Sequence, residues 1–484
     1  MQLPLPIDEP PESLRGPIAP AGRVYVNRDL KMGRCAWIGF DLDYTLAIYR
    51  QLQMDELSIE ATVNKLLARG YPELITELDY PLDFPIRGLL VDKKRGNLLK
   101  LNRFKVARRG YHGMRELSRA ELRSLYYERK LRHKSSRYYF IDTLYALSEA
   151  CMFATIVEGF DRRGRKVRYR KLFEDIRECI DLAHRDGAIL DPVMADPGQY
   201  IERDPRLAGT LHKLRSAGKR LFLLTNSRWP YARAVLSYLL DGALPDYPSF
   251  HHYFDAIVVG ARKPRFFEEQ EPIMELRGDD LVPAKLPLER GRVYGGGNLR
   301  QLQRALGVTG NRVLYVGDHI YGDIVRSKKD SVWRTAMVIP ELETEVAAQG
   351  DCAAAHERAG EVHGQRYELE DQLRFYRQRL KTLGRNGDEA ANGTEEVDRT
   401  KALIALIRKQ LRTLNREDKA LQAHIDQRFH PYWGPLLKQA GELSLFGHQV
   451  AEYACVYTSR VSNLLAYSPQ QYFRSPHNLM HHEL

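Results

Sequence analysis

Cysteine is scarce in this chain, and long apolar runs are absent. The sequence has five cysteines in 484 residues, without metal-ligand spacing, which argues against a disulfide framework or a zinc site. No apolar run approaches the roughly 18 residues that a membrane-spanning helix needs. The first residues also lack the charged start and apolar centre of a signal peptide. We therefore expect reduced thiols, no membrane partner and a cytoplasmic location.

The overall charge is positive, but nothing else points to nucleic acid. The formal charge is +11, and charged residues make up 28% of the chain. A positive field favours nucleic acids and anionic small molecules alike. The densest basic run, residues 162–171, is interpreted as a solvated hairpin of two short strands, and no recognisable nucleic-acid module accompanies it. We therefore do not expect a nucleic-acid partner.

A short apolar run, residues 35–40, ends at two aspartates. Asp41 and Asp43 point the same way in an extended chain, and a parallel sheet opens its crevice at the carboxyl ends of its strands. Two carboxylates this close do not ionise independently, so one suits nucleophilic attack or metal binding and the other acid/base work. Because Asp-x-Asp also occurs in calcium loops and helix caps, the rest of the chain must decide.

Four more short apolar runs alternate with helical patterns, at residues 221–224, 254–259, 312–316 and 335–339. Short β-branched runs that alternate with helices indicate a parallel, doubly wound α/β sheet. Leucine and isoleucine at alternating spacings of four and three after residue 369 predict an antiparallel helical hairpin of coiled-coil type.

These patterns divide the chain into five segments. They are an extended proline-rich arm (residues 1–24), an α/β core (25–80 and 191–350), an inserted cap domain (81–190), the helical hairpin (351–430) and a C-terminal helical segment that packs on the core (431–484).

Polar side chains follow four of the five predicted core strands. Thr225, Asn226 and Ser227 offer hydroxyls, an amide and backbone N–H groups for phosphate oxygens, and Lys263 offers a point cation. Asp318 and Asp323 add two carboxylates in the loop after the run 312–316. Four carboxylates around one spot require a cation, and oxygen ligands beside a phosphate favour Mg²⁺.

With these motifs in order, the chain resembles the haloacid dehalogenase (HAD) superfamily of phosphohydrolases. The segments 39–47, 261–267 and 315–323 are similar to the cytosolic purine 5′-nucleotidase family, the type II enzymes that prefer IMP and GMP. Further similar segments are residues 24–28, 87–89, 96–100, 333–342 and 479–480. The resemblance spans nearly the full chain and implies a HAD-like fold with an inserted cap.

The resemblance also implies a covalent mechanism. Asp41 would be the nucleophile and Asp43 the general acid/base, with Thr225 and Lys263 holding the phosphoryl group. Mg²⁺ would be held by Asp41, the Leu42 carbonyl and Asp318, while Asp323 orients the metal's waters or Lys263. Members of this family also pass the phosphoryl group to a nucleoside, so phosphotransferase activity is a possible side reaction.

A predicted helix in the inserted segment carries Arg177, Asp181 and His184 at i, i+4 and i+7, which places them on one face. From spacing alone, an exposed ion-paired face and a site that reads a 6-oxopurine are equally good interpretations. The resemblance favours the second, and it implies that Tyr145 stacks on the base. It further implies a nucleotide effector pocket with Arg132, Tyr321 and Lys329, and a homo-oligomer, either a dimer or a tetramer.

Two alternatives remain open at this point. The first is a phosphatase of the same fold that acts on another phosphomonoester. The second is a non-catalytic relative that binds nucleotides or nucleic acid through the basic surface. The intact set of strand-end residues argues against the second, because a degenerate relative would be expected to lose at least one of them.

Overall fold

The computed structural model describes residues 17–126, 131, 135–278, 280–325, 331–385, 391–439 and 441–476. The chain divides into two compact units. The first unit combines Met1–Glu343 and Leu436–Leu484, and the second unit is Thr344–Pro435. Most of the predicted N-terminal arm lies outside the described residues.

The first unit is built on a ten-stranded sheet. In chain order its strands are β1 (Tyr25–Val26), β2 (Trp37–Phe40), β3 (Arg220–Leu224), β4 (Ala256–Val259), β5 (Ile273–Arg277), β6 (Asp280–Pro283), β7 (Val293–Gly296), β8 (Val313–Gly317), β9 (Arg334–Val338) and β10 (Val456–Thr458). In space the order is β1-β10-β9-β8-β2-β3-β4-β7-β5-β6.

The seven strands from β10 to β7 in that spatial order are parallel, and β1, β5 and β6 pair antiparallel at the two edges. From β2 the chain runs outward through β3 and β4, then returns to β8 on the other side of β2. Such a reversal leaves a crevice at the carboxyl ends of the two central strands. The predicted doubly wound α/β sheet is confirmed, and its switch point lies between β2 and β8.

The described residues of the two units also form α-helices. In chain order they are α1 (Gln51–Ala68), α2 (Arg119–Tyr126), α3 (Leu147–Arg162), α4 (Tyr169–Arg185), α5 (Leu190–Ala195), α6 (Pro197–Tyr200), α7 (Pro205–Ser216), α8 (Trp229–Leu240), α9 (Arg265–Glu268), α10 (Leu299–Leu306), α11 (Leu342–Asp351), α12 (Ala353–Arg385), α13 (Ala391–Phe429) and α14 (Leu445–Tyr453).

A second, antiparallel sheet lies in the stretch predicted as a cap. Its five strands are Leu89–Asp92, Asn97–Leu101, Ala107–His112, Arg115–Glu116 and Tyr138–Phe140, and the same stretch contains α2, α3 and α4. The prediction of a strand hairpin over residues 162–171 is wrong: Arg162 ends α3 and Tyr169 begins α4, so the basic run joins two helices.

Residues after 435 contribute strands as well as a helix. Besides α14, this segment supplies β10, which pairs parallel with β9. The same segment forms two short antiparallel pairs, Lys438–Gln439 with Glu442–Leu443 and Tyr472–Phe473 with Leu30–Lys31. A similar short pair, outside this segment, joins Ile48–Tyr49 to Ile201–Glu202. The sequence indicated only helix here, because strands of two or three residues are too short to show a period.

The second unit contains the predicted helical hairpin, formed by α12 and α13. Arg358 pairs with Glu417 at 2.7 Å, whereas Arg379, further along α12, pairs with Glu396, earlier on α13. This inverse order makes the two helices antiparallel. Apolar side chains in the seam are buried, Ile404 and Ile407 among them.

All five cysteines are free and buried. Within the described ranges, no helix combines the length and the apolar character needed to cross a lipid bilayer.

Gly39 in β2 yields a prediction about stability. A Cβ at this position would lie 2.1 Å from Cζ of Phe222 on β3, so alanine requires the ring to move within a packed core. We expect Gly39→Ala to lower the free energy of unfolding by about 1–3 kcal/mol in urea denaturation. The control is Gly209→Ala on α7, where a Cβ would meet no atom within 4 Å. Equal stability of Gly39→Ala and the unmodified protein would contradict this packing.

Candidate active site

The turn after β2 carries the first two predicted residues. The backbone N–H of Asp41 donates to the carbonyl of Val316 on β8 at 2.9 Å, which fixes it at the switch point. The Asp41 side chain is buried. Tyr44 has a φ of 54°, a left-handed conformation that is strained for a bulky residue. This conformation reverses the chain after Asp43, so both carboxylates stay at the mouth of the sheet.

Lys263, which follows β4, reaches across the site to Asp41. Its Nζ lies 2.9 Å from Oδ1 of Asp41 and 2.6 Å from Oδ1 of Asp323, and it donates to the Tyr315 hydroxyl at 2.9 Å. The lysine is buried, which lowers its pKa, but the charges of Asp323 and Asp41 outweigh this effect and raise the pKa well above its ordinary value. Lys263 therefore stays an ammonium cation beside Asp41.

Three carboxylates converge at the ends of β2 and β8. Asp41, Asp318 and Asp323 are buried, and one oxygen from each lies within 4.8 Å of the others. Burial raises the pKa of Asp318 to about 7, and the charge of Asp323 adds to the rise. When ionised, three carboxylates and the Lys263 ammonium leave two formal negative charges. Buried oxygen ligands with this charge fit a hard divalent cation such as Mg²⁺.

A glycine at the end of β8 permits this approach. A Cβ on Gly317 would lie 2.5 Å from Oδ2 of Asp323. The same Oδ2 accepts the backbone N–H of His319 at 3.2 Å. The Asp323 carboxylate is thus held between the loop backbone and Lys263, the position in which it would orient that lysine.

The Leu42 carbonyl does not lie as the resemblance implied. It accepts backbone N–H groups from Leu46 and Ala47, each at 2.9 Å, so it closes the turn after β2. The Leu42 carbonyl is therefore engaged in backbone hydrogen bonds rather than directed at a metal ion. A sequence cannot show this, because every residue carries a carbonyl and only the turn geometry decides where it points.

Both oxygens of Asp43 accept hydroxyl hydrogen bonds. Tyr49 donates to Oδ1 and Ser227 donates to Oδ2, each at 2.5 Å. The Tyr49 hydroxyl also lies 2.8 Å from that of Tyr231. These contacts fix the orientation of the Asp43 carboxyl group. Sequence reasoning missed Tyr49, and it assigned Ser227 to phosphate binding.

The loop after β3 joins the phosphate-binding candidates to the lysine. Thr225 is fully buried, and its Oγ1 accepts the backbone N–H of Ser227 at 3.1 Å. The Asn226 amide accepts the Lys263 N–H at 2.5 Å and donates to the Lys263 carbonyl at 3.0 Å. The Asn226 side chain therefore positions Lys263. A contact of Asn226 with a phosphate would have to come from the backbone of Asn226.

Arg87 supports the loop after β8 from the side of the second sheet. Its fully buried guanidinium donates to both oxygens of Glu341, at 2.7 and 2.6 Å, and to the Asp318 carbonyl at 3.0 Å. A bidentate pair of this kind is geometrically specific. It fixes the backbone from which the Asp318 side chain projects.

One cleft of about 870 Å³ connects the carboxylates to the predicted base-binding residues. Its walls include Tyr145, Arg177, Asp181 and His184 together with Asp41, Asp43, Lys263, Asp318 and Asp323. The structure thus brings the two predicted groups together on one cavity. The Tyr145 ring packs edge-on against Tyr44 at 4.9 Å and against His184 at 5.8 Å.

A further carboxyl group on the same wall was not predicted. Glu149, in the first turn of α3, is buried, and its Oε2 has no hydrogen-bond partner in the part of the chain that the structure describes. Burial raises its pKa to about 7, and the nearby Arg177 opposes this rise. The signal for this residue was weak, since a lone glutamate at a helix start is usually interpreted as an N-terminal charge.

Of the three predicted effector residues, the structure describes Tyr321 alone. Tyr321 lies half-buried in a π-helical turn, Ile320–Val325, after Asp318. Arg132 and Lys329 lie outside the described residues, so the effector pocket stays a prediction.

Comparison with known proteins identifies the family of this chain. The model of the 5′ nucleotidase family matches residues 24–484. A 5′-nucleotidase domain-containing protein of Dictyostelium discoideum is 29% identical over 470 residues, 95% of this chain and 74% of that protein. The 5′-nucleotidase domain-containing protein 2 of rat and of human are each 30% identical over 354 residues, 70% of this chain. The matches span 62% of the rat protein and 66% of the human protein.

Among solved structures, the chain is similar to a predicted phosphoglycolate phosphatase from Haemophilus somnus 129PT. The identity is 12%, the TM-score is 0.27, and the match covers 63% of this chain and 85% of that one. We draw nothing from so slight a likeness. The match of the family model over nearly the whole sequence is the finding that decides: this chain belongs to the 5′ nucleotidase family of phosphoric monoester hydrolases.

Proposed function

We propose that the protein is a Mg²⁺-dependent 5′-nucleotidase that hydrolyses purine nucleoside 5′-monophosphates, with IMP and GMP preferred. The observation that supports this most is the contact of Lys263 with Asp41 at 2.9 Å, beside the carboxylates of Asp318 and Asp323. It supplies a nucleophile, a cation for a phosphoryl group and a metal-binding corner within one buried site. The adjoining cleft has room for a base and a ribose.

In the proposed reaction, Asp41 attacks phosphorus in line while Asp43 protonates the leaving ribose 5′-oxygen. An aspartyl-phosphate forms on Asp41. Asp43, now an anion, takes a proton from the water that hydrolyses this intermediate, which returns both carboxyl groups to their starting states. Tyr49 and Ser227 keep Asp43 facing the leaving group.

Charge on the phosphoryl oxygens is stabilised by groups already in place. Lys263 provides a fixed ammonium group, and Thr225 provides a hydroxyl group. Backbone N–H groups of the loop after β3 add further donors. Asp41, Asp318 and Asp323 would hold the Mg²⁺ ion. When bound, that ion would act as a Lewis acid toward the phosphoryl oxygens. A nucleoside hydroxyl in place of water would give the phosphotransferase side reaction.

A second candidate is phosphatase activity on another phosphomonoester, since the carboxylate corner itself does not depend on the base. What favours a nucleotide is the wall at the other end of the cleft, where Tyr145 offers an aromatic face and Arg177 a donor. A panel of IMP, GMP, AMP and sugar phosphates separates the two. No preference for 6-oxopurine nucleotides would reject the specific claim.

The assigned nucleophile gives a direct prediction. We expect Asp41→Asn to lower phosphate release from IMP by about three orders of magnitude or more, because a neutral amide does not attack phosphorus and loss of a covalent nucleophile costs at least this much. The measurement is a phosphate-release assay, with circular dichroism to verify folding. Asp246→Asn, at an exposed position outside the cleft, is the matched control. A folded Asp41→Asn with unchanged activity would refute the mechanism.

The metal site gives a second prediction. We expect EDTA to abolish phosphate release and added Mg²⁺ to restore it, because the buried carboxylates repel one another without a counter-charge. Loss of a residue that only orients a metal ligand lowers metal affinity by about 10- to 100-fold. Because Asp318 would contact the ion directly, Asp318→Asn should raise the Mg²⁺ concentration needed for half-maximal activity by more than this factor. Activity that is insensitive to EDTA, or the same Mg²⁺ dependence in Asp318→Asn, would count against the site.

A further inference from the structure

The second unit carries its charge unevenly. In α12 and α13, the segments 372–383 and 399–416 together contain ten arginine and lysine residues and no aspartate or glutamate. The two helices are antiparallel, and Arg379 in the first segment pairs with Glu396, which lies shortly before the second. The two segments therefore lie side by side, and their cations gather on one stretch of the hairpin.

Four of these cations surround one groove. Arg377 and Lys381 on α12, with Lys401 and Arg408 on α13, line a groove of about 350 Å³. Two further arginines continue the same face, because one lies about a turn before Arg377 and the other a turn after Arg408. All of them are exposed. We call this set the hairpin basic face, and its members are Arg374, Arg377, Lys381, Lys401, Arg408 and Arg412.

Most of the charge on this face is free to meet a ligand. Lys401 pairs with Asp398 at 3.3 Å and Arg374 pairs with Asp371, but both pairs are exposed. Exposed ion pairs of this kind contribute little to stability, so a stronger anion can displace them. The other four residues of the face form no ion pair with a carboxylate among the residues that the structure describes. The face therefore presents a positive field to the solvent.

The chemistry of the face favours a nucleic acid over a protein or a membrane. The groove floor consists of Leu380, which is half-buried, Ile404, which is buried in the seam, and Ala405. A stable protein interface has an apolar centre, and a helix that lies on a membrane has an apolar face. The hairpin basic face offers neither, because its two larger apolar side chains are turned into the hairpin. A polyanion without apolar contacts is the partner that fits.

The absence of aromatic side chains from the face favours a double helix over a single strand. Neither the six cations nor the three floor residues are aromatic. The exposed Phe375 lies two residues from Arg377, and side chains two apart on a helix do not share a face. Proteins that bind single strands stack the bases on aromatic rings. A duplex, whose bases are already stacked, offers its phosphates alone.

We propose that the hairpin basic face binds double-stranded RNA through the phosphates. Its cations form two rows, three on each helix, and packed helices lie about 8–10 Å apart. A-form RNA has a wide, shallow minor groove, so a flat face can contact the phosphates of both strands. The major groove of B-DNA is about 12 Å wide and admits one helix of about 10 Å, not two side by side. Arginine forks suit phosphate oxygens, which they bind through two hydrogen bonds.

This surface is formed by the fold and not by a local run of sequence. The expectation of no nucleic-acid partner came from the basic run 162–171, which joins two helices of the first unit. The cations of the hairpin basic face come from two helices and meet only when the hairpin folds. The proposed RNA binding goes beyond the proposed nucleotidase function and does not depend on it.

The test is binding of a labelled RNA duplex of roughly 20 base pairs to the full-length protein, followed by fluorescence anisotropy. We expect affinity to fall steeply between about 50 and 200 mM salt, as for any binding that releases counterions. A DNA duplex of the same sequence should bind more weakly. Combined Arg377→Gln, Lys381→Gln and Arg408→Gln should weaken RNA binding by about 10-fold or more and lower the salt slope by about three, one for each lost phosphate contact.

The matched control removes the same charges from the basic run of the first unit. Arg165→Gln, Lys166→Gln and Arg168→Gln also replace two arginines and one lysine at exposed positions, and this variant should bind RNA as the unmodified protein does. Phosphate release from IMP should be the same in both triple variants. A change in RNA binding alone therefore concerns the hairpin, and a failure of IMP hydrolysis in the unmodified protein concerns the proposed function.

Four results would overturn the proposal. They are no binding of the RNA duplex at about 50 mM salt, equal RNA binding by the hairpin variant and the unmodified protein, an equal loss in the control variant, and binding of the DNA duplex as tight as that of the RNA. Tighter binding to vesicles of phosphatidylserine and phosphatidylcholine than to RNA would assign the face to a membrane instead. If circular dichroism shows that the hairpin variant has lost helix, combined Arg374→Gln and Arg412→Gln decides by the same criteria.

Discussion

The ammonium group of Lys263 is the contact on which the geometry of this site depends. It lies between Asp41 and Asp323, 2.9 and 2.6 Å away, and its side chain is buried. Removal of one partner from a buried ion pair costs about 3–5 kcal/mol, because the remaining charge is left without compensation. The lysine comes from the end of β4, the first aspartate from β2 and the second from the loop after β8. One charge thus ties three strand ends together.

This arrangement follows from the order of the strands. Because the chain leaves β2 in one direction and returns to β8 on the other side, the two strands at the switch point have no crossover passing above their ends. Neighbouring loops diverge there, and a crevice opens between them. The glycine that ends β8 lets Asp323 approach the backbone, and Arg87 fixes the same loop from the second sheet through Glu341 and the Asp318 carbonyl. These contacts hold the loop after β8 at the carboxyl end of the sheet.

The sequence predicted the strands and the charged residues behind them, because a short apolar run that ends in a polar cluster is a local pattern. It could not predict how each polar group is used. The Ser227 hydroxyl binds Asp43, the Asn226 amide binds the Lys263 backbone, and the Leu42 carbonyl closes a turn. Tyr49 and Glu149 were missed because their partners depend on long-range packing. Similarly, a three-residue strand such as β10 has no period to detect, and its place in the sheet is decided by pairing with β9.

The two ends of the cleft are physically continuous, which bears on how base recognition and phosphoryl transfer can be coupled. Tyr145 packs against Tyr44, the residue that follows Asp43, with ring centroids 4.9 Å apart. Tyr44 in turn packs against Tyr49, the donor to Asp43, at 4.8 Å. Aromatic pairs of this kind contribute about 0.5–1.5 kcal/mol each beyond the area they bury, and interiors this closely packed transmit small displacements. Under the proposed function, a base stacked on Tyr145 would contact the same aromatic cluster that orients Asp43, the proposed general acid/base. In this way, binding energy from the base would act at the phosphoryl group. A substrate without a base would lack this contribution.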